Sequence, residues 1–384
     1  MHTVSVPFPG YRQVPPQAAG QFAQALESSG VVDQFQAWDQ LTSWYPQGLW
    51  TPANAPAAAA FPDCDSFQDA FVSAAFAAAM TGDLGVTVST DATRRGPAEL
   101  LQTMLTLSDG IGRPAVLQLG AAELKQTKPF GYKRSQGLGR LEESLQIMGR
   151  LLDSDGLISF EGQYHAYQDA WIGGAKPHRP RFYALGGGPR LFDIAARYAD
   201  GIVTIAPFAY PTPEEFAGFV AAMKERVESH GRDPDDFTVG LWYAALLDDG
   251  SGDLDALCDN ELMRFFAAMS GRLEQSRWRA EGLEPVWPDD WHYALRLLPA
   301  SVSPQEARDV AARTPREMVR KSFFMGSPAE VAETMRDYAE AGATYHSLCD
   351  MAPVARGLDR LQAAMAAELE TCAAFKVKCG VAAG

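Results

Sequence analysis

The sequence predicts a closed (β/α)8 barrel of parallel strands, and three observations support this fold. Eight runs with the composition of buried strands alternate with helical patterns along the chain. The stretch Pro180–Thr204 fits a strand, a glycine-rich turn, a short helix and a second strand into a compact βαβ unit. Eight is also the number of strands that closes such a barrel, with an open doubly wound sheet as the alternative.

Each predicted element follows from its local pattern. Apolar and aromatic runs bounded by turn residues predict strands at Thr3–Pro7, Val32–Trp38, Leu84–Ser89, Ala115–Leu119, Arg181–Leu185, Gly201–Ala206, Thr238–Leu246 and Thr344–Asp350. Apolar residues at helical spacing predict helices at Gln17–Ser28, Ser66–Met80, Ala98–Leu107, Arg140–Leu152, Arg190–Tyr198, Pro213–His230, Pro328–Ala341 and from Arg356 to about Ala374. The whole chain, 1–384, is interpreted as one barrel domain.

Two segments interrupt the alternation. The segment Gly156–Arg179 is rich in glycine, aromatic and polar residues and is interpreted as a long crossover loop. The segment 248–315 has helical patterns and three tryptophans, Trp278, Trp287 and Trp291, far from any strand pattern. It is predicted to be a helical insertion after the seventh strand. In a barrel this insertion would lie over the C-terminal mouth and form a lid or pocket wall, or its tryptophans would fill its own small core.

Composition restricts the class of partner. The net charge of −15 and the pI near 4.9 argue against binding nucleic acid or an anionic membrane surface. The N-terminus lacks a secretory signal pattern and no apolar run is long enough to span a bilayer, so a cytoplasmic protein is expected. Five scattered cysteines and six dispersed histidines show no metal-ligand spacing, so no metal site is predicted. The expected partner is a small-molecule substrate.

The turn Gly186-Gly187-Gly188-Pro189 is the first candidate binding site. It joins a predicted strand to the N-terminus of a helix, where backbone N–H groups without helical partners favour an anion such as a phosphate. A merely tight turn is the alternative, because the GxGxxG and GK[ST] spacings are absent. The turn and the following Ala199-Asp200-Gly201 together resemble the luciferase-like flavin and deazaflavin superfamily.

The segment after the second strand carries a second candidate site. Asp39, Gln40 and Trp44 lie where the C-terminal mouth of a barrel is expected. The resemblance implies a catalytic role for them, since members that use the deazaflavin coenzyme F420 carry Asp-His here, followed by a tryptophan. Gln40 replaces that histidine, and an amide can form hydrogen bonds but cannot act as a general acid or base. The proton would then come from Tyr45, Asp39 or water.

Two further strand ends match the superfamily. The string Leu119-Gly120-Ala121-Ala122-Glu123 resembles its L-G-x-G-x-x-E pattern. The match implies that Glu123 approaches N1 of the deazaflavin ring as a catalytic and cofactor-binding carboxylate. The alternative is a solvated or salt-bridged loop glutamate. By the same resemblance Thr87 and Val88 would contact the cofactor and be joined by a cis peptide bond. Arg94 and Arg95 could pair with a phosphate or be solvated.

The resemblance extends over nearly the whole chain, including Lys128–Tyr132 and the helix start at Ser327–Glu330, where a capping box is predicted. It is strongest toward the actinobacterial phthiodiolone ketoreductase and F420-dependent glucose-6-phosphate dehydrogenase branches. It implies a homodimeric oxidoreductase that transfers a hydride between F420 and an organic substrate. The alternatives are an FMN-dependent monooxygenase and a non-catalytic ligand-binding barrel. No Lys/Arg cluster follows Gly201–Pro207, which disfavours a sugar phosphate substrate.

Overall fold

The computed structural model describes residues 2–380 and contains a closed barrel of eight parallel strands. The strands in chain order are β1 (Thr3–Phe8), β2 (Gln34–Trp38), β3 (Gly85–Asp91), β4 (Val116–Gly120), β5 (Ile158–Glu161), β6 (Ala166–Ala170), β7 (Arg181–Leu185), β8 (Gly201–Ala206), β9 (Thr238–Leu247), β10 (Phe324–Gly326) and β11 (Tyr345–Asp350). The barrel order is β1-β2-β3-β4-β7-β8-β9-β11, and β11 pairs with β1 to close it. The (β/α)8 prediction is confirmed, with all eight predicted strands present.

Most helices connect successive strands of the barrel, and a group of shorter helices follows β9 in the chain. The helices are α1 (Gln17–Ser29), α2 (Ala70–Met80), α3 (Pro97–Ile111), α4 (Leu124–Thr127), α5 (Gly137–Asp153), α6 (Pro189–Tyr198), α7 (Pro213–Ser229), α8 (Leu254–Leu257), α9 (Glu261–Ser270), α10 (Arg277–Ala280), α11 (Tyr293–Arg296), α12 (Pro304–Arg313), α13 (Arg316–Ser322), α14 (Pro328–Glu340), α15 (Ala352–Arg356) and α16 (Leu361–Lys378). The predicted capping box at the start of α14 is confirmed between Ser327 and Glu330.

Some predicted boundaries were wrong for local reasons. The second helix begins at Ala70 rather than Ser66, because the Asp69 side chain accepts hydrogen bonds from the N–H groups of Phe71 and Val72 and caps the helix there. The segment predicted as a crossover loop folds in part into the antiparallel hairpin of β5 and β6. The closing helix, α16, begins at Leu361 rather than Arg356, because Gly357 takes a φ of 109° and separates it from the short helix α15.

The insertion after β9, the seventh barrel strand, contains α8 to α12. Its apolar side chains form a cluster with Tyr45, Leu49 and Trp50 from the long connection between β2 and α2. Trp278 belongs to this cluster and is fully buried, whereas Trp287 and Trp291 are only partly buried and stack on each other at 4.6 Å. The insertion is therefore packed against the loop that follows β2, which brings it to the C-terminal side of the barrel.

The inside of the barrel is unusually polar below its mouth. Gln36, Ser89, Gln118 and Ser347 point inward from four strands and are almost completely buried. Ser89 Oγ donates to Gln118 Oε1 at 2.9 Å, and the Gln36 amide lies within hydrogen-bond distance of the other three side chains. Buried polar groups need such partners, so this network fixes the register of the strands beneath the site.

Candidate active site

The ends of β4 and β7 bring two of the predicted sites together. The last residues of these strands, Gly120 and Leu185, are paired in register. Glu123 follows the first strand end by three residues, and Gly186 follows the second directly. Parallel strands of a barrel present their carboxyl ends at one mouth, which is where such barrels carry their sites. The loop of Glu123 and the glycine turn therefore leave the barrel side by side.

Glu123 is held by two side chains at this mouth. Lys125 Nζ lies 3.1 Å from Glu123 Oε2, and Trp44 Nε1 donates to Glu123 Oε1 at 3.3 Å. The Lys125 ammonium also lies 4.5 Å from the centre of the Trp44 ring, a cation–π distance. Burial lowers the pKa of Lys125 below its ordinary value, although the Glu123 carboxylate opposes this shift. The structure thus brings Trp44 and Glu123, which follow separate strands in the sequence, into hydrogen-bond contact.

The loop after β2 is fastened to the segment after β4. Gln126 Oε1 accepts from the Leu41 N–H at 2.8 Å, and Lys125 Nζ donates to the Thr42 carbonyl at 2.8 Å. Gln40 lies in the same loop and is only 8% exposed. Among residues 2–380 its buried Oε1 has no hydrogen-bond partner. An unpaired buried acceptor beside the site is available to a donor on a ligand.

Asp39, predicted to be a catalytic residue, is buried and bound to other side chains of the protein. It is 7% exposed; Thr90 Oγ1 donates to its Oδ2 at 2.6 Å, and Arg95 Nε donates to the same oxygen at 3.0 Å. Arg94 lies 3.3 Å from this carboxylate and also binds Asp91. Burial alone would raise the pKa of Asp39, but the two guanidinium groups and Thr90 lower it below its ordinary value. Both arginines and Asp39 are engaged with one another, which favours a structural role.

Thr87 and Val88, predicted to contact the cofactor, are buried in β3 below the mouth of the barrel. Both side chains are fully buried, and the Thr87 hydroxyl lies 3.2 Å from the Tyr345 hydroxyl inside the barrel. Val88 belongs to the apolar core outside it. The cis bond implied between them is absent; within residues 2–380 the cis peptide bond is Ala206–Pro207. Since side chains alternate along a strand, Ser89 and Asp91 are the inward positions nearer the rim of β3.

The glycine turn has the geometry of an open backbone cradle. Gly186 and Gly188 take φ values of 131° and 100°, which favour glycine. A Cβ added at Gly187 or Gly188 would meet nothing within 4 Å, so the backbone faces open space. Pro189 begins α6, a helix of ten residues, and Gly186 N–H donates to the Val203 carbonyl at 3.0 Å. The remaining N–H groups at this helix start can receive an anion.

Three further residues at this mouth were not predicted from the sequence. Burial and the neighbouring Glu123 raise the pKa of the Tyr293 phenol, which the insertion brings beside the carboxylate. His292 precedes it, and Arg134 lies nearby with a buried Nε that has no hydrogen-bond partner among residues 2–380. Arg134 is close in sequence to Glu123. Tyr293 and His292 come from the insertion, which the sequence predicts to lie over the mouth, but no pattern indicates which of its residues face Glu123.

Most of the chain is matched by a known family. Residues 3–345 match the luciferase-like monooxygenase family. The chain belongs to that family. Its members share the barrel described above, and membership makes the chain an oxidoreductase. No helix within residues 2–380 combines the length and apolar character needed to cross a membrane.

Two curated relatives and two solved structures show what this luciferase-like chain resembles. The phthiodiolone/phenolphthiodiolone dimycocerosates ketoreductase of Mycobacterium bovis is 24% identical over 343 residues, 87% of this chain and 88% of the relative. The F420-dependent glucose-6-phosphate dehydrogenase of Kineococcus radiotolerans is 26% identical over 330 residues, 84% of this chain and 82% of the relative.

Among solved structures, an F420-dependent secondary alcohol dehydrogenase with an F420-acetone adduct has a TM-score of 0.71 and 18% identity, covering 98% of this chain and 99% of its own. A riboflavin lyase with modified FMN and riboflavin has a TM-score of 0.70 and 15% identity, covering 100% of this chain and 93% of its own. At these identities the likeness concerns the fold.

Proposed function

We propose that this luciferase-like protein is an F420-dependent oxidoreductase that transfers a hydride between the deazaflavin and an organic substrate. The observation that carries the proposal is Glu123, held at the mouth by Trp44 and Lys125 beside an open glycine turn. Both relatives above support a reductase or dehydrogenase activity by their names. The alternative, an FMN-dependent monooxygenase, is favoured by Gln40, which removes the proton-transfer histidine of F420-dependent relatives.

The residues present fit a cofactor of this kind. The open backbone at Gly187 and Gly188, at the N-terminus of α6, suits a phosphate group. The unpaired Gln40 Oε1 suits a ring N–H or a substrate hydroxyl. When bound, F420 supplies or takes up the hydride at its C5. No cationic side chain is needed at the turn, because the helix N-terminus itself carries partial positive charge.

The protein's own contribution is position, polarity and a proton-bearing group. Trp44 and Lys125 fix the orientation of the Glu123 carboxylate, which is 21% exposed and faces the mouth. An oriented carboxylate can accept a hydrogen bond or exchange a proton with a bound ring. The Tyr293 phenol is protonated at neutral pH, with its pKa raised further by burial and by the neighbouring Glu123, and it can donate to the same carboxylate. Gln40 can orient a ligand but cannot transfer its proton.

A titration with F420 and with FMN, followed by fluorescence quenching, tests this assignment. We expect tight binding of F420 alone, weakened about tenfold or more by Gly187→Val, because a side chain would enter the open backbone cradle. Gly174→Val is the matched control, since Gly174 is an exposed glycine that also faces open space. Preference for FMN would identify a monooxygenase, and binding of neither would overturn both assignments.

Lys125→Met should slow turnover about tenfold and change its pH dependence. Burial lowers the pKa of Lys125, so the wild-type ammonium loses its proton at a lower pH than the ammonium of an exposed lysine. Glu123 then loses its charged partner. The wild-type rate should therefore fall on the alkaline side. We expect this decline to be absent in Lys125→Met and to move to higher pH in Lys125→Arg. Identical pH–rate profiles in all three proteins would remove Lys125 from the positioning of Glu123.

A further inference from the structure

Three tryptophans from separate parts of the chain form a continuous aromatic surface at the barrel mouth. Trp38 ends β2 and stacks on Trp242 of β9 with ring centres 5.3 Å apart and planes 24° apart. Trp44 meets Trp38 edge-on at 5.9 Å and 79°. All three are partly exposed. Phe266 of the insertion, which is buried, packs edge-on against Trp44 at 6.4 Å.

The polar atom of each indole faces a protein acceptor. Trp44 Nε1 donates to Glu123, and Trp242 Nε1 donates to Gln118 Oε1 at 3.0 Å. With the Gln36 amide turned so that its oxygen faces the indoles, Trp38 Nε1 lies 3.1 Å from that oxygen. The buried amides of the barrel interior thus accept hydrogen bonds from the indole N–H groups of Trp38 and Trp242. One face of Trp38 and one of Trp242 are occupied by their mutual stack, and Lys125 covers one face of Trp44. The indoles therefore offer a ligand their remaining ring faces and carbon edges, and no hydrogen-bond donor.

Such a surface selects ligands by shape and by π-electron character. Aromatic pairs in stacked or edge-on geometry gain binding free energy beyond that of the area they bury. A saturated ring of the same size gains the burial alone. Polar acceptors of this mouth include Gln40 Oε1, which is buried, and the Glu123 carboxylate, to which Trp44 donates. Both would receive a donor on the ligand, such as a hydroxyl or ring N–H.

We propose that the surface formed by Trp38, Trp44 and Trp242 is the substrate subsite and that it takes a planar aromatic compound bearing a hydroxyl or N–H group. This inference rests on the proposed function, because it names the substrate class of the same mouth. It departs from a flexible alkyl chain, which would gain burial against the rings but no stacking with them.

Calorimetric titration of the full-length protein with 2-naphthol and with decahydro-2-naphthol, in the presence and absence of saturating F420, tests the proposal. The two probes share a hydroxylated two-ring skeleton and differ in aromaticity. We expect 2-naphthol to bind about tenfold more tightly, a ratio that corresponds to about 1.4 kcal/mol. Trp242→Leu should reduce the ratio below about threefold, whereas Trp242→Phe, which keeps a ring, should retain most of it.

Trp171→Leu is the matched control, because Trp171 is 53% exposed and follows the β5–β6 hairpin. Its probe ratio should equal that of the wild type. Equal affinity for the two probes, or an unchanged ratio in Trp242→Leu, would overturn the proposal. Displacement of F420 by 2-naphthol would also overturn it, since the surface would then belong to the cofactor. Failure to bind F420, with the naphthol preference intact, would instead reject the proposed function alone.

Discussion

Glu123→Gln should reduce turnover about 100-fold while the affinity for F420 stays within about threefold of the wild type. The glutamine keeps the size of the side chain and an oxygen for Trp44 Nε1, but it loses the negative charge and the capacity to exchange a proton. The rate of single-turnover oxidation or reduction of bound F420 measures the step directly. Cofactor affinity comes from the fluorescence titration described above.

Stability must be separated from chemistry in this experiment. Lys125 is 2% exposed, so removal of the Glu123 charge leaves a buried cation without its partner. The double variant Glu123→Gln/Lys125→Met removes both charges and should recover stability without recovering turnover. Glu161→Gln, an exposed glutamate of the β5–β6 hairpin, is the matched control and should behave as wild type. Normal turnover in Glu123→Gln would exclude the carboxylate from the reaction.

Asp39→Asn should lower the free energy of unfolding by about 3 kcal/mol at pH 7, because it leaves Arg94 and Arg95 without their shared buried carboxylate. The pKa of Asp39 is lowered in the folded protein, so the charged form is the one that folding stabilises. This contribution is present above the pKa of the unfolded state, near 4, and is lost as the pH falls through the folded value. Wild type and variant should therefore converge in acid.

Urea unfolding at pH 7 and at successively lower pH measures this difference. Asp83→Asn is the matched control, because Asp83 pairs with Arg113 at the surface with its side chain 98% exposed. An exposed pair of that kind contributes about 0–1 kcal/mol, and its loss should have little effect. A difference between Asp39→Asn and wild type that stays constant down to acid pH would contradict an electrostatic origin and indicate altered packing.

The barrel strands could be predicted from the sequence because their signal is local. Arg181–Leu185 and Gly201–Ala206 have the predicted bounds, since each apolar run is bordered by turn residues. The β5–β6 hairpin was missed because its strands are short and largely exposed and therefore lack a clear apolar pattern. The start of α2 was misplaced because the capping side chain, Asp69, overrides a helical pattern that extends further back.

The candidate site divides in the same way. Glu123, Trp44 and the glycine turn could be named from the sequence because each follows a predicted strand end, and a parallel barrel gathers those ends at one mouth. The resemblance of the surrounding strings to the luciferase-like superfamily singled them out among the residues there. The ion pairs of Asp39 could not be predicted, because Arg94 and Arg95 are many positions away in the sequence. Only the folded loops bring them within 3.3 Å of its carboxylate. Tyr293 was missed for a related reason, as the insertion has no strand to fix its position.

The sequence by itself determined the alternation of strands and helices, the glycine turn at the start of α6 and the family to which the chain belongs. The strand and helix patterns and the glycine turn depend on residues close together in the chain, and the family match adds such local patterns along residues 3–345. The tertiary structure alone decided that Lys125 and Trp44 hold Glu123, that Asp39 is bound by Arg94 and Arg95, and that Trp38 stacks on Trp242. Such contacts depend on distance and burial in space, which the closure of the barrel sets and no local pattern encodes.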